Sequence, residues 1–123
     1  MIQIQTKLKI NDNSGIKIGQ CIKIYKKKVG QIGDTILISV KKLRLNQKKK
    51  VKIIKGNLFK ALIIHTKYQK KSTIGNMVKF DKNCIIILNN QNKPLGTRIL
   101  GPITSEFRRQ KNFKILSLAS NIL

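Results

Sequence analysis

The chain has 123 residues, of which 27 are Lys or Arg and 4 are Asp or Glu, for a formal net charge of +23. Its 41% hydrophobic content excludes a disordered basic tail, while the charge excess argues against a protein that works without a polyanionic partner. Asp12, Asp34, Asp81 and Glu106 are the only carboxylates and His65 the only histidine, which is too sparse for most acid–base enzymes and hard-metal sites.

The dominant period along the chain is two. Ile2, Ile4, Leu8 and Ile10 alternate with polar residues and predict a half-buried strand. Asp12-Asn13-Ser14-Gly15 is dense turn chemistry. Ile16, Ile18, Ile22 and Ile24 predict a second strand, with Gly19 marking a bulge or a close approach. Lys26, Lys27 and Lys28 lead to a tight turn with hairpin glycines at Gly30 and Gly33, and Ile36, Ile38 and Val40 resume the alternation. Residues 41–52 are almost all basic or polar and should project into solvent or RNA. After a turn at Lys55-Gly56-Asn57, the apolar, β-branched stretch Leu58 to Thr66 predicts a core strand. Lys67 to Ser72 is a second basic excursion, closed by Gly75-Asn76. Met77 to Phe80 and Cys84 to Leu88 predict the last two barrel strands. The unbroken apolar run of the latter points to burial on both faces.

The texture changes after Asn89. Asn89 to Lys93 is a polar loop, and Pro94 and Pro102 bracket a glycine-containing segment. Thr104 or Ser105 is placed to cap a short helix holding Glu106 and Phe107. Phe113, Leu116, Ser117 and Ala119 permit a further helical turn or two. There is no internal repeat and no linker. The expected fold class is mainly β: one domain over 1–123, with a small closed barrel in 1–89 and a loop with a helical cap in 90–123.

Basic residues concentrate in the connections, where a phosphate backbone would meet them. The RNA-binding candidates are Lys26, Lys27, Lys28, Lys41, Lys42, Arg44, Lys48, Lys49, Lys50, Lys52, Lys55, Lys67, Lys70, Lys71, Arg108, Arg109 and Lys111. Only four of the cations are arginine (Arg44, Arg98, Arg108, Arg109). A lysine surface of this kind suits backbone and shape recognition more than base reading. There is no Trp, and Phe59 and Phe80 fall in core-like strands. Little is left for base stacking, so folded RNA is the expected partner.

Other sites are sparse. His65 reads as a strand-end polar residue or an RNA contact rather than a catalytic group. Gly96-Thr97-Arg98 sets a guanidinium in a glycine-bounded loop. The glycines match no phosphate-loop spacing. Cys21 and Cys84 form no C-x-x-C pair and read as buried thiols. No cofactor, metal, membrane partner or small-molecule substrate is expected. Charges interrupt every apolar run well short of a membrane span. The start MIQIQTKLKIN has neither signal-peptide nor transit-peptide character.

MIQIQTKLKINDNSG, KGNLFKALIIHTK, VKFDKNCIIILNN, PLGTRILGPITSEFR and FKILSLASNIL together resemble the universal large-subunit ribosomal protein L-fourteen family in its bacterial-type form. The resemblance runs through essentially the whole chain in one register. It implies a five-stranded barrel with a projecting β-ribbon and small C-terminal helices. It also implies binding to large-subunit ribosomal RNA beside neighbouring ribosomal proteins, and a place at the intersubunit face with bridges to small-subunit RNA. The same face in the family docks silencing or anti-association factors, through positions matching Thr97, Arg98 and Lys114. His65, Ser105, Leu100 and Ser120 depart from the usual residues, and the ribbon stretch LNQKKKVKIIKG lacks a common glycine. A transient translation factor, a peripheral membrane protein and an RNA-modifying enzyme are the rival readings. The second would want a basic amphipathic helix and the third a clustered nucleophile or base. With 22 Ile, 11 Asn and 23 Lys, the chain has the bias of an AT-rich genome. A mitochondrial ribosome is the expected location, with the plastid and an AT-rich bacterial cytoplasm as alternatives.

Overall fold

The computed structural model describes residues 2–25, 27–44, 54–68, 70–71, 77–105, 107 and 113–122. Five strands close into a barrel: β1 (Lys7–Ile10), β2 (Ile16–Ile24), β3 (Thr35–Leu43), β4 (Leu58–His65) and β7 (Cys84–Leu88). The order is β1-β2-β3-β4-β7, and a parallel pairing of Lys9 with Cys84 and Ile10 with Ile85 joins the ends. Closure removes the free edges that a lysine-rich sheet would otherwise expose.

The alternation in β2 is broken, and the breaks have a cause. Register shifts against β3 fall between Ile16 and Ile18, Ile18 and Gly19, and Cys21 and Lys23. Each extra residue turns the following side chains to the other face. Ile16, Cys21 and Ile24 therefore point inward, whereas Ile22 is 41% exposed. Gly19 takes an inward position where a Cβ would lie 2.7 Å from Ile38 Cδ1. This is the close approach that the sequence marks at Gly19.

The first strand is shorter than the alternation predicts. Gln5 adopts a left-handed conformation (φ 72), so β1 begins only at Lys7. Ile2 is still fully buried, held by a bridge to Gly30, while Ile4 is 59% exposed. Gly30 thus meets the N-terminal segment instead of turning a hairpin. Met77–Phe80 is not a barrel strand. Met77–Val78 (β6) pairs with Lys70–Lys71 (β5) in a separate two-stranded sheet. The stretch is too short and too exposed to compete with Cys84–Leu88, whose five residues are all buried.

That full burial comes from two cores on opposite sides of β4 and β7. Ala61, Ile63, Ile85 and Ile87 fill the barrel interior with Leu8, Ile10 and Ile36. Leu62, Ile64, Ile86 and Leu88 face outward and are covered by Ile99, Ile103, Phe107 and Ile115 from the C-terminal segment. The expected burial of CIIIL on both faces is present. The cover is not helical throughout, however. The helix α1 (Phe113–Leu118) is followed by β9 (Ala119–Ile122), which pairs in parallel with β8 (Ile99–Ile103). Thr104 does not act as a helix cap: it is buried and its hydroxyl has no hydrogen-bond partner. Ser105 lies in an exposed turn and Phe107 is helical and buried, while Glu106 lies outside the described residues.

Candidate nucleic-acid interface

The turn between β1 and β2 is built around a buried carboxylate. Asp12 Oδ1 accepts hydrogen bonds from Ser14 N (3.0 Å) and Ser14 Oγ (2.5 Å), and Oδ2 accepts one from Ile87 N (2.9 Å). A carboxylate only 1% exposed must have its lone pairs filled to be tolerated, and these donors fill them. The same bonds fasten the turn to β7. Asn13 therefore projects from a fixed point. Its Oδ1 accepts from Thr97 N (2.8 Å) and Arg98 N (3.2 Å), and its Nδ2 donates to Thr97 Oγ1 (2.7 Å).

The two motifs interlock through a missing side chain. A Cβ on Gly96 would lie 2.8 Å from Asn13 Oδ1 and 3.2 Å from Asp12 Cβ. The loop can approach the turn only because residue 96 is glycine. Leu95 N donates to Ile87 O and Leu100 N to Asn11 O, continuing the seam on both sides. Thr97 and Arg98 are exposed, so a rigid loop presents a hydroxyl and a guanidinium to whatever lies outside.

His65 sits on the other side of this seam, and it is buried. Its Nε2 donates to Pro102 O, its Nδ1 accepts from Asn11 Nδ2 (3.4 Å), and its ring stacks on Phe80 with centroids 4.0 Å apart. These partners fit a neutral imidazole with the proton on Nε2. Burial pushes its pKa below the ordinary 6.5, against an opposing contribution from the Pro102 carbonyl. Of the two readings offered by the sequence, the polar strand-end residue is the one observed. His65 clamps the barrel to the C-terminal segment and has no exposed face for RNA.

The cationic candidates divide by what they already touch. Lys27 donates to Asp34 Oδ1 at 3.1 Å, the one ion pair among the described residues. Lys28, Lys41, Lys42, Lys55 and Lys67 are exposed, and Lys114 is exposed on α1. Lys70 and Lys71 form β5. Arg44 is half-buried at the end of β3, its backbone N–H bonded to Gly15 O and its Nη2 donating to Ile10 O (3.2 Å). Lys26, Lys48, Lys49, Lys50, Lys52, Arg108, Arg109 and Lys111 lie outside the described residues, as does most of the stretch expected to form a projecting ribbon. The parallel pair Ile99–Ala119 sets the end of α1 beside the strand that follows Arg98.

Asp12, Asn13 and Asn11 were not among the sequence candidates, although they organise the site. Dense turn chemistry announces the bonds that Ser14 donates to Asp12. Nothing local announces Ile87 or Thr97, which are reached only after the barrel closes.

Two outcomes are expected. Asn13→Ala should lower the stability of the full chain by about 0.5–1.5 kcal/mol, because the freed amides are exposed and can bond water. In the same variant, amide hydrogen exchange at Thr97 and Arg98 should be at least about tenfold faster, because their shared acceptor is gone. Unchanged exchange at both amides would contradict the clamp. Separately, unfolded chains bind a proton at His65 before folded ones do. Denaturant stability should therefore be constant above the unfolded value of 6.5 and decline as pH falls below it towards the lower folded value. His65→Gln should remove this part of the pH dependence, and a profile identical to the wild type would refute the assignment.

Comparison with known families matches the whole chain. The family model described as ribosomal protein L14p/L23e covers residues 1–123. It describes structural, non-enzymatic constituents of the large ribosomal subunit, which accords with the exposed lysines that the closed barrel carries among the described residues. The chain belongs to the ribosomal protein L14p/L23e family.

Proposed function

We propose that this protein is a fixed, RNA-clamping constituent of the large ribosomal subunit whose Thr97–Arg98 loop works at the intersubunit face. The observation that carries the reading is the interlock of Asp12-Asn13 with Gly96-Thr97-Arg98. A loop held by its backbone keeps its side chains oriented without an ordering cost at binding. Basic side chains at 27–28, 41–44, 55 and 67, with those at 26, 48–52, 70–71 and 108–111, neutralise large-subunit ribosomal RNA phosphates. Such contacts release counterions and add affinity without reading sequence.

On this reading the whole chain acts as one domain. Thr97, Arg98 and Lys114 contribute to bridges with small-subunit RNA and to a surface that takes a silencing or anti-association factor. Neighbouring large-subunit proteins flank it. The Ile, Lys and Asn bias supports a mitochondrial ribosome, with plastid and AT-rich bacterial ribosomes as the alternatives.

Arg98→Glu tests the interface. The side chain is exposed and its backbone bond to Asn13 survives the change, so large subunits should assemble normally. Joining to small subunits, or capture of the factor, should weaken by about tenfold or more, since one charge contact is replaced by a repulsion. Normal joining together with normal factor capture would refute the interface assignment.

A further inference from the structure

The chain has two Tyr, four Phe and no Trp, and most of the rings described are engaged within the fold. Phe107 is buried, and Phe59 and Phe80 are half-buried against the two cores. The half-buried ring of Tyr25 has the Lys23 ammonium 5.4 Å from its centroid. Tyr68 differs. It is 51% exposed, and its ring meets no other ring and no cation among the described residues.

The main chain that carries this ring is braced. Thr66 Oγ1 donates to Tyr68 O (3.2 Å), Lys67 N to Asn83 Oδ1 (2.8 Å) and Phe80 N to Thr66 O (3.1 Å). Phe80 is itself stacked on His65, and β5 pairs with β6 just beyond. A ring held out on a fixed main chain loses little freedom when something binds it. Its surroundings are cationic. Lys67 precedes it, and Lys79 lies on the facing segment between Val78, which pairs with Lys70, and Phe80, which bonds Thr66. Lys67 and Lys79 are exposed and make no ion pair among the described residues. Residues 66–71 and 77–83 together carry five lysines against one carboxylate, Asp81.

We infer that Tyr68 is a stacking site for one unpaired base of the large-subunit ribosomal RNA. The inference rests on the ribosomal RNA reading above and deepens it, because it assigns a base contact where the lysines offer only phosphate contacts. Every base has a π face, so one ring can hold an unstacked base without reading its edges. Bulges and loops of a folded RNA supply such bases, whereas the bases of a duplex are already stacked. The lysine excess favours a nucleic-acid strand over an apolar protein side chain as the occupant, since a stacked base brings its own phosphates alongside. One ring is too little for a single-strand platform, which accords with a folded partner.

The test uses the full-length chain and transcribed large-subunit RNA from the same source. Tyr68→Ala and Tyr68→Leu should each bind the RNA about tenfold more weakly than the wild type. Their dependence on salt should be unchanged, because no charge contact is lost. Tyr68→Phe should bind as the wild type does. Ultraviolet irradiation of the wild-type complex should cross-link Tyr68 to one unpaired nucleotide. Weak binding by Tyr68→Phe would overturn stacking in favour of a hydroxyl contact, and wild-type affinity in Tyr68→Leu would overturn it in favour of a merely apolar one. Wild-type affinity in Tyr68→Ala, or no cross-link at Tyr68, with the wild type binding, would overturn the site and leave the RNA reading intact. If Tyr68→Ala binds RNA normally yet is lost from the large subunit, the occupant of the ring is a neighbouring protein. A wild type that does not bind the RNA would overturn the RNA reading itself, and the stacking site with it.

Discussion

Strand β7 has to be buried on both faces and bonded on both edges, and much of the structure follows from that requirement. One edge pairs with β4 and the other with β1, which closes the barrel. Ile85 and Ile87 fill the interior, while Ile86 and Leu88 lie against the C-terminal segment. Each fully buried side chain of this size contributes about 1.5–3 kcal/mol relative to exposure. The strand also supplies the Ile87 amide that satisfies Asp12. Without β7 in place, Asp12 Oδ2 would lose its donor and the β1–β2 turn would lose its anchor.

The charge then has one place to go. Both cores are apolar and the barrel is closed, so the lysines are displaced to the outer wall and the connections. The carboxylates among the described residues do little to offset them. Asp12 is buried in hydrogen bonds and Asp34 is paired with Lys27. An exposed pair such as Lys27–Asp34 contributes little to stability. The fold is therefore held by isoleucine burial and backbone pairing, and its electrostatics are directed outward. The architecture suits a constituent of a ribonucleoprotein particle: the partner's phosphates remove the self-repulsion that the isolated chain must bear.

Much of this was legible in the sequence, for reasons that differ by segment. The CIIIL run signals two-sided burial because a sheet strand with no polar residue cannot face water on either side. Gly19 signals a close approach, and one is found against Ile38. Alternation alone misplaces Ile4 and Ile22. A left-handed Gln5 and the bulges in β2 shift the phase, and neither has a local marker strong enough to read. The C-terminal β8–β9 pair is hidden for another reason: parallel strands joined through a helix are set by tertiary packing, not by propensity. At the site, the Gly96-Thr97-Arg98 loop and the Asp12-Asn13-Ser14-Gly15 turn each stand out. Their interlock does not, because it joins residues 84 positions apart along the chain.

As a stable, RNA-anchored part of the large subunit, the chain should stay with that particle when weaker associations are stripped away. Sedimentation of a native lysate through a sucrose gradient in high salt, with the protein followed by mass spectrometry, tests it most directly. The protein should travel with the large subunit through the salt wash and be released by ribonuclease. Its retention at the top of the gradient, while other large-subunit proteins sediment, would contradict stable incorporation and favour a factor that visits the ribosome transiently.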